Sequence, residues 1–442
     1  MTSRSLMLLL LVLPLLVTAQ DGGGRVTELF EKLPAQDAEQ RAELKKALSQ
    51  FGRDEIRELC KELVVPGSGD DTRARELLHA LVLVAGKQEV LRQNFMQVMG
   101  EVLPSDAAVS SKKFLLQQAQ FLRDPELGAI VSGSLLDPEL GSTAVRVLVV
   151  TGGESSAAAL REALPQAPES NHIAIIDGLG VLRDPQAVPL LLERANSAKR
   201  RVHLAALAAL VSIGDPDVAP LLFESMRHGS WQEQTQQMAL TVELAGRLSQ
   251  LGQPQEAMAI LEQLRSAYPE LAQVQSATLQ KLAELQGVDA LPGVIVALTS
   301  EDREIRAAAM DVAVRLPGAE VTGAYLTQLQ ECAPPAKAAV LAVLSRRGDA
   351  AALPAAVAEL NDPEAEVRIA AVKAVATLGK ERAVAPLVDF LNTDSTRERK
   401  EAQTALVKLS EKSVSSAIAQ ALQGASPDVR AALLQVLSGR RA

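Results

Sequence analysis

Apolar side chains return along most of this chain three and four residues apart, the spacing that sets them on one stripe of a helix. Within residues 362–392 the stripe is Val367, Ala371, Val375 and Leu378, and a second follows through Val384, Leu387, Val388 and Leu391. Asp362-Pro363 opens this unit, since proline suits a first helical turn and an acid suits the positive end of the helix dipole. Gly379 is the expected stop between the two helices, in a left-handed cap that glycine adopts at little cost. The unit is therefore a helix hairpin with one wet and one dry face, its inner alanines allowing close approach.

The hairpin recurs at a fixed step. Leu298, Leu329, Leu360, Leu391 and Leu422 stand 31 residues apart, and so do Arg306, Lys337, Arg368, Arg399 and Arg430. A constant step of about 20 to 50 residues marks a solenoid, whose copies bury their apolar faces against their neighbours. The expected fold is all-α: a right-handed α-solenoid, an armadillo-like or HEAT-like superhelix.

The unit resembles the short HEAT-like repeats first noted in phycobilisome lyases, which run roughly DPxVRxxAxxALxxLGDxxAVPxL. Val367, Arg368, Ala371, Leu378, Gly379, Ala383, Val384 and Pro386 carry the match. Partial copies appear as IGDPDVAPLL before residue 223 and LRDPQAVPLL before residue 192, with prolines at 189, 220, 292, 354 and 386 marking one place in successive units. Some copies are degenerate: Arg347 stands where the repeat has an apolar residue. The resemblance is clear over 106–442 and weaker over 25–105, where helical patterns occupy 26–33, 53–63 and 72–84. It implies a fold and is nearly silent on function.

The step fails between Pro220 and Pro292, where about ten extra residues have entered. There Leu251-Gly252-Gln253-Pro254-Gln255-Glu256-Ala257, followed by Leu261, Leu264 and Pro269, resembles the second half of a tetratricopeptide repeat. Thr241 and Ala245 depart from that family, so an elongated HEAT hairpin is the alternative. The resulting organisation is a signal peptide over 1–19, degenerate helical repeats over 20–105, HEAT-like repeats over 106–228, a TPR-like hairpin over 229–270, and HEAT-like repeats with a capping helix over 271–442.

The signal peptide rests on Arg4, an apolar run over 6–17 and the small residues of Val17-Thr18-Ala19. That run is too short for a membrane core needing about 20 residues. It implies an exported chain, periplasmic or extracellular, with no membrane span after cleavage. The formal charge of −9 disfavours nucleic acid, and aromatics at 2% disfavour an aromatic-lined sugar or base site. Cys60 and Cys332 are the only cysteines, too far apart along a stack of repeats to bond, and are expected to be unpaired. The loop 66–71 lacks the residues of a phosphate or calcium loop and reads as an N-cap, with Asp71 before Thr72.

Candidate chemistry is sparse. No nucleophile elbow, zinc helix or CxxC pair occurs, so no catalytic residue, cofactor or metal ligand is assigned. The basic row of Arg306, Lys337, Arg368, Arg399 and Arg430 is the candidate binding ridge, for a carboxylate-rich partner. Its competing reading is internal pairing with Asp302, Glu331 and Asp362, which lie four to six residues upstream. His172 and His203 hold the same repeat position further upstream, and no further ligands join them. Trp231, the only tryptophan, reads as a packing residue at a hairpin junction, or as part of an exposed recognition face. The expected function is a non-catalytic scaffold for a protein or peptide partner. The alternative is an accessory, lyase-like or chaperone-like factor working with a catalytic partner.

Overall fold

A computed structural model describes residues 22–318, 320–410 and 412–440. The expected signal sequence, residues 1–19, lies outside the described residues. Among those residues the regular structure is helical throughout, and no helix is long and apolar enough to cross a membrane. The chain divides into two compact units, residues 1–213 and 214–442.

Each unit is built from two layers of helices, because each hairpin has one apolar face to bury. In the first unit Ala38–Leu48, Thr72–Ala85, Val109–Ala119, Gly141–Thr151, Glu169–Leu182 and Arg200–Ile213 pack one on the next as the leading helices. Gly22–Glu31, Arg53–Lys61, Glu89–Val102, Leu127–Val131 and Gly153–Ala163 form the second layer. In the second unit the leading helices are Trp231–Gln250, Ala272–Gln286, Arg303–Arg315, Pro334–Arg347, Ala365–Gly379, Thr396–Lys408 and Pro427–Gly439. Against them pack Val218–His228, Pro254–Ala267, Leu291–Leu298, Glu320–Glu331, Leu353–Ala358, Val384–Phe390 and Lys412–Ala421. The leucine row is the seam of this second unit: Leu298, Leu329, Leu360 and Leu391 are buried, and Leu422 is half-buried. The extra residues lie in and around Trp231–Gln250, a helix of 20 residues.

Where leading helices touch, small residues decide the distance. A Cβ on Gly180 would lie 2.8 Å from the Ala209 Cα, so only glycine permits that crossing of Glu169–Leu182 and Arg200–Ile213. Gly379 has the same role and not the one its sequence suggests. Its backbone stays helical, and the left-handed φ of +49° falls to Lys380. A Cβ on Gly379 would meet the Ala383 Cβ at 2.9 Å and the Leu353 Cδ1 at 3.1 Å, so close packing selects the glycine. The Asp71 cap also differs from expectation: its carboxylate accepts from Arg75 and the Val64 N–H, while Asp70 accepts from the Thr72 N–H. Cys60 and Cys332 are free thiols, and burial pushes the Cys60 thiol up to about 12.

Arg347, apparently a degenerate position, caps a helix one repeat away. Arg303–Arg315 runs into Leu316-Pro317 with an extended backbone, so no left-handed residue folds back onto its last carbonyls. Arg347 reaches them instead, donating to Ala313 O at 3.3 Å, Val314 O at 3.1 Å and Leu316 O at 2.7 Å. Tyr325 supports the arrangement, its hydroxyl donating to Ala313 O at 3.1 Å and its ring 6.0 Å from the Arg347 guanidinium. Thr396–Lys408 also ends in an extended residue, Leu409, and Arg440 gives its Nη1 to the carbonyls of Leu406, Val407 and Leu409. Where a glycine ends the helix, as Gly348 does in left-handed geometry, the chain caps itself. Arg347→Met should therefore cost about 1 to 3 kcal/mol in urea denaturation, the loss of a charged donor from half-buried carbonyls. Amide exchange should quicken at the end of Arg303–Arg315, while the exposed neighbour Arg346→Met should stay within about 0.5 kcal/mol of the parent. Equal losses at the two positions would refute the capping role.

Candidate functional site

The basic row occupies one post in five successive hairpins. Arg306, Lys337, Arg368, Arg399 and Arg430 are each the fourth residue of a leading helix. A helical side chain leans toward the N-terminus, so a long donor there reaches back to the loop by which the chain enters the helix. Arg306 Nη1 donates to Ser300 O at 2.6 Å and Glu301 O at 2.7 Å. Arg368 Nη1 meets Asp362 O and Pro363 O, both at 2.7 Å, Arg399 meets Leu391 O and Thr393 O, and Arg430 meets Ala425 O at 3.2 Å.

The post is longer than the basic row. His172 and His203, also fourth in their helices, engage the carbonyls of Ala167 and Ala195. Gln234 donates to Gly229 O at 3.1 Å, and Gln275 to Arg265 O at 2.9 Å and Tyr268 O at 3.0 Å. Counted along the chain the steps are 31, 31, 41 and then 31 again, so the irregular segment lies between Gln234 and Gln275. Where the post holds Ala144, buried Asn171 from the next leading helix supplies the donor to Leu135 O and Asp137 O. The requirement is a donor, and Arg, His and Gln all meet it. The histidines are thereby engaged with backbone, and among the described residues no three of His, Cys, Asp and Glu gather as a metal site requires.

Acids also join the row, but not the ones expected. Lys337 reaches forward, to Asp362 at the start of the next hairpin at 2.9 Å and to Glu359 at the end of its own at 3.2 Å, and not back to Glu331. Arg368 likewise takes Glu398 of the following hairpin at 2.6 Å, and uses only the carbonyl of Asp362. The Asp302 carboxylate caps its own helix through the N–H groups of Glu304 and Ile305 and leaves Arg306 to the loop. Glu398 is 3% exposed in its side chain, and its hydrogen bond with Arg368 holds the carboxyl below the usual carboxylate range.

An open apolar surface lies elsewhere, where the register breaks. Trp231 begins a leading helix and is 63% exposed, which removes the reading of it as a packing residue. Ser230 and Glu233 form a capping box beside it, with Ser230 N donating to Glu233 Oε2 at 2.8 Å, so the helix start is fixed. Four residues on, then seven, eight and eleven, come Thr235, Met238, Ala239 and Val242, one continuous stripe. That stripe walls a groove of 540 Å³, faced by Leu271, Val274 and Ala277 of the next leading helix and its entry. Leu264 lies beneath it, and Glu270 and Glu304 supply its charge. Two posts of the donor row shape the groove: Gln275 holds the 268–271 loop through Tyr268 O, and Arg306 holds the entry to the helix that carries Glu304. No Lys or Arg lines it among the described residues.

Arg368→Gln tests the inward role of the basic row. Removing the guanidinium strands the buried Glu398 carboxylate, and stability near neutral pH should fall by about 1.5 to 3 kcal/mol. The folded-state pKa of Glu398 is depressed, so its contribution exists above its unfolded value and is lost as pH falls through the folded one. The gap between parent and variant should thus narrow below about pH 4. A gap that is absent at pH 7, or that widens in acid, would show that Arg368 faces a partner instead.

HEAT repeats match residues 157–241 and 324–407. No curated protein matches the chain in sequence. Among solved structures, an engineered protein is 17% identical, covers 88% of this chain and 99% of its own, and has a TM-score of 0.26. The structure of Kap95p with RanGDP is 12% identical, with a TM-score of 0.40, over 95% of this chain and 60% of that one. The karyopherin Kap121p bound to the extreme C-terminus of the phosphatase Cdc14p is 16% identical, with a TM-score of 0.37, over 94% and 48%. The two helical layers of each unit and the donor held fourth in successive leading helices make this chain an all-α solenoid, with HEAT repeats matched over residues 157–241 and 324–407.

Proposed function

We propose that the protein is a non-catalytic scaffold that holds a segment of a protein partner in the groove at Trp231. One observation carries this reading: a solvent-exposed tryptophan heads an apolar stripe that walls an open groove. Tryptophan in such a setting is a common anchor of binding energy. The hairpin that supplies the wall is the one resembling a tetratricopeptide repeat, through Leu251-Gly252-Gln253-Pro254 and Ala257. The basic row supports the same division of labour, because its donors are turned inward onto loops and acids. The scaffold works after export, to the periplasm or outside the cell, a reading that rests on Arg4, the apolar run over 6–17 and Val17-Thr18-Ala19.

A photo-reactive residue at position 239 should crosslink the native partner at one fixed stoichiometry, and one at exposed Glu381 should not. Trp231→Ala should abolish that crosslink while shifting stability by no more than about 0.5 kcal/mol, as for other exposed substitutions. Crosslinking that survives the variant sinks the groove as the binding site. Export is tested separately by the mass of the protein purified from its native cell, which should begin at Gln20; a product retaining residues 1–19 would disprove it.

A further inference from the structure

Resting on the groove reading, we infer that the occupant is a partner segment carrying bulky apolar side chains beside lysine or arginine. The walls are apolar apart from Thr235, Gln273 and the two glutamates Glu270 and Glu304, so the main gain on binding comes from burying apolar surface. A volume of 540 Å³ lies within the range of about 300 to 1,000 Å³ typical of specific pockets. It suits side chains presented together from one face of a helix, at positions i and i+4. The charge at the groove is of one sign. Glu270 and Glu304 are exposed, and neither enters an ion pair among the described residues. The nearby donors are already occupied: Gln275 by the carbonyls of Arg265 and Tyr268, Arg306 by those of Ser300 and Glu301. An occupant with a carboxylate or phosphate head, such as a fatty acid, would bring a charge that both glutamates repel and that no Lys or Arg meets among the described residues lining the groove. A basic flank meets both glutamates favourably.

The lone tryptophan makes the test direct, because Trp231 is the only indole in the chain and stands at the mouth of the groove. The full-length protein is titrated with three synthetic helical peptides of equal length, each with two leucines at i and i+4, flanked by Lys, Gln or Glu. Laurate is the fourth probe. The lysine peptide should shift tryptophan emission to the blue, saturate, and bind about three- to tenfold more tightly than the glutamine peptide. The glutamate peptide and laurate should bind more weakly still. The lysine advantage should vanish in 1 M NaCl and in the double variant Glu270→Gln/Glu304→Gln. Filling the groove with Ala239→Phe should abolish every response.

Equal binding of the lysine and glutamate peptides, both lost in Ala239→Phe, would overturn the charge preference and leave the groove standing. Laurate binding as tightly as the lysine peptide would overturn the peptide occupant. Responses that persist in Ala239→Phe, or a lack of response to all three peptides, would overturn the groove reading itself.

Discussion

A repeat protein made of helix hairpins must bring its chain into every leading helix through a short loop, and the carbonyls of that loop need donors. Nearly every other feature of this structure is arranged around that need. The fourth side chain of the leading helix meets it, since its bond to the backbone leans toward the N-terminus and so toward the loop. Arg306, Arg368, Arg399 and Arg430 do this with guanidinium groups, Gln234 and Gln275 with amides, and His172 and His203 with ring nitrogens. Lys337 is the exception and ties forward to Glu359 at the end of its own hairpin and Asp362 at the start of the next. Because most of these loops are held from within their own hairpin, the outer faces of the leading helices are left free of that task.

Helix ends show the same economy at the other terminus. A left-handed residue lets a helix close its own carbonyls, as at Gly348. Where the sequence offers Leu316-Pro317 or Leu409, an arginine of a later helix completes the bonding. Local capping and borrowed capping are alternative answers to one requirement, and they differ in what they couple. A borrowed cap joins two hairpins, so a fault in one is felt by its neighbour.

The sequence made the architecture legible because periodicity is a property of the whole array. Leu298, Leu329, Leu360 and Leu391 could be placed on a buried seam from spacing alone. Side-chain partners were less legible. The basic row stood out through its charge, while Gln234 and Gln275 in the same post did not, although hydrogen bonding asks only for a donor. The acids assigned to the row lay upstream in sequence, and the partners lie downstream in space, as with Lys337 and Asp362. Arg347 looked like decay of the repeat because its partners are 31 to 34 residues away. Gly379 was assigned the right importance for the wrong reason: proximity to Ala383, not torsion, demands it. The exposure of Trp231 depends on what packs against the start of its helix, which no pattern along one helix encodes.

The step of 41 residues between Gln234 and Gln275 has a consequence for how such proteins acquire recognition. Both posts still find their carbonyls, so the insertion is silent in the bonding of the loops. It is expressed only in the surface, as the groove that Trp231 heads. A deletion restoring the step to 31 would give a more uniform array with its loop donors satisfied and without that wall. Regularity and surface shape are thus written in separable parts of this chain, and a repeat array can gain or lose a groove by changing one spacing without renegotiating its fold.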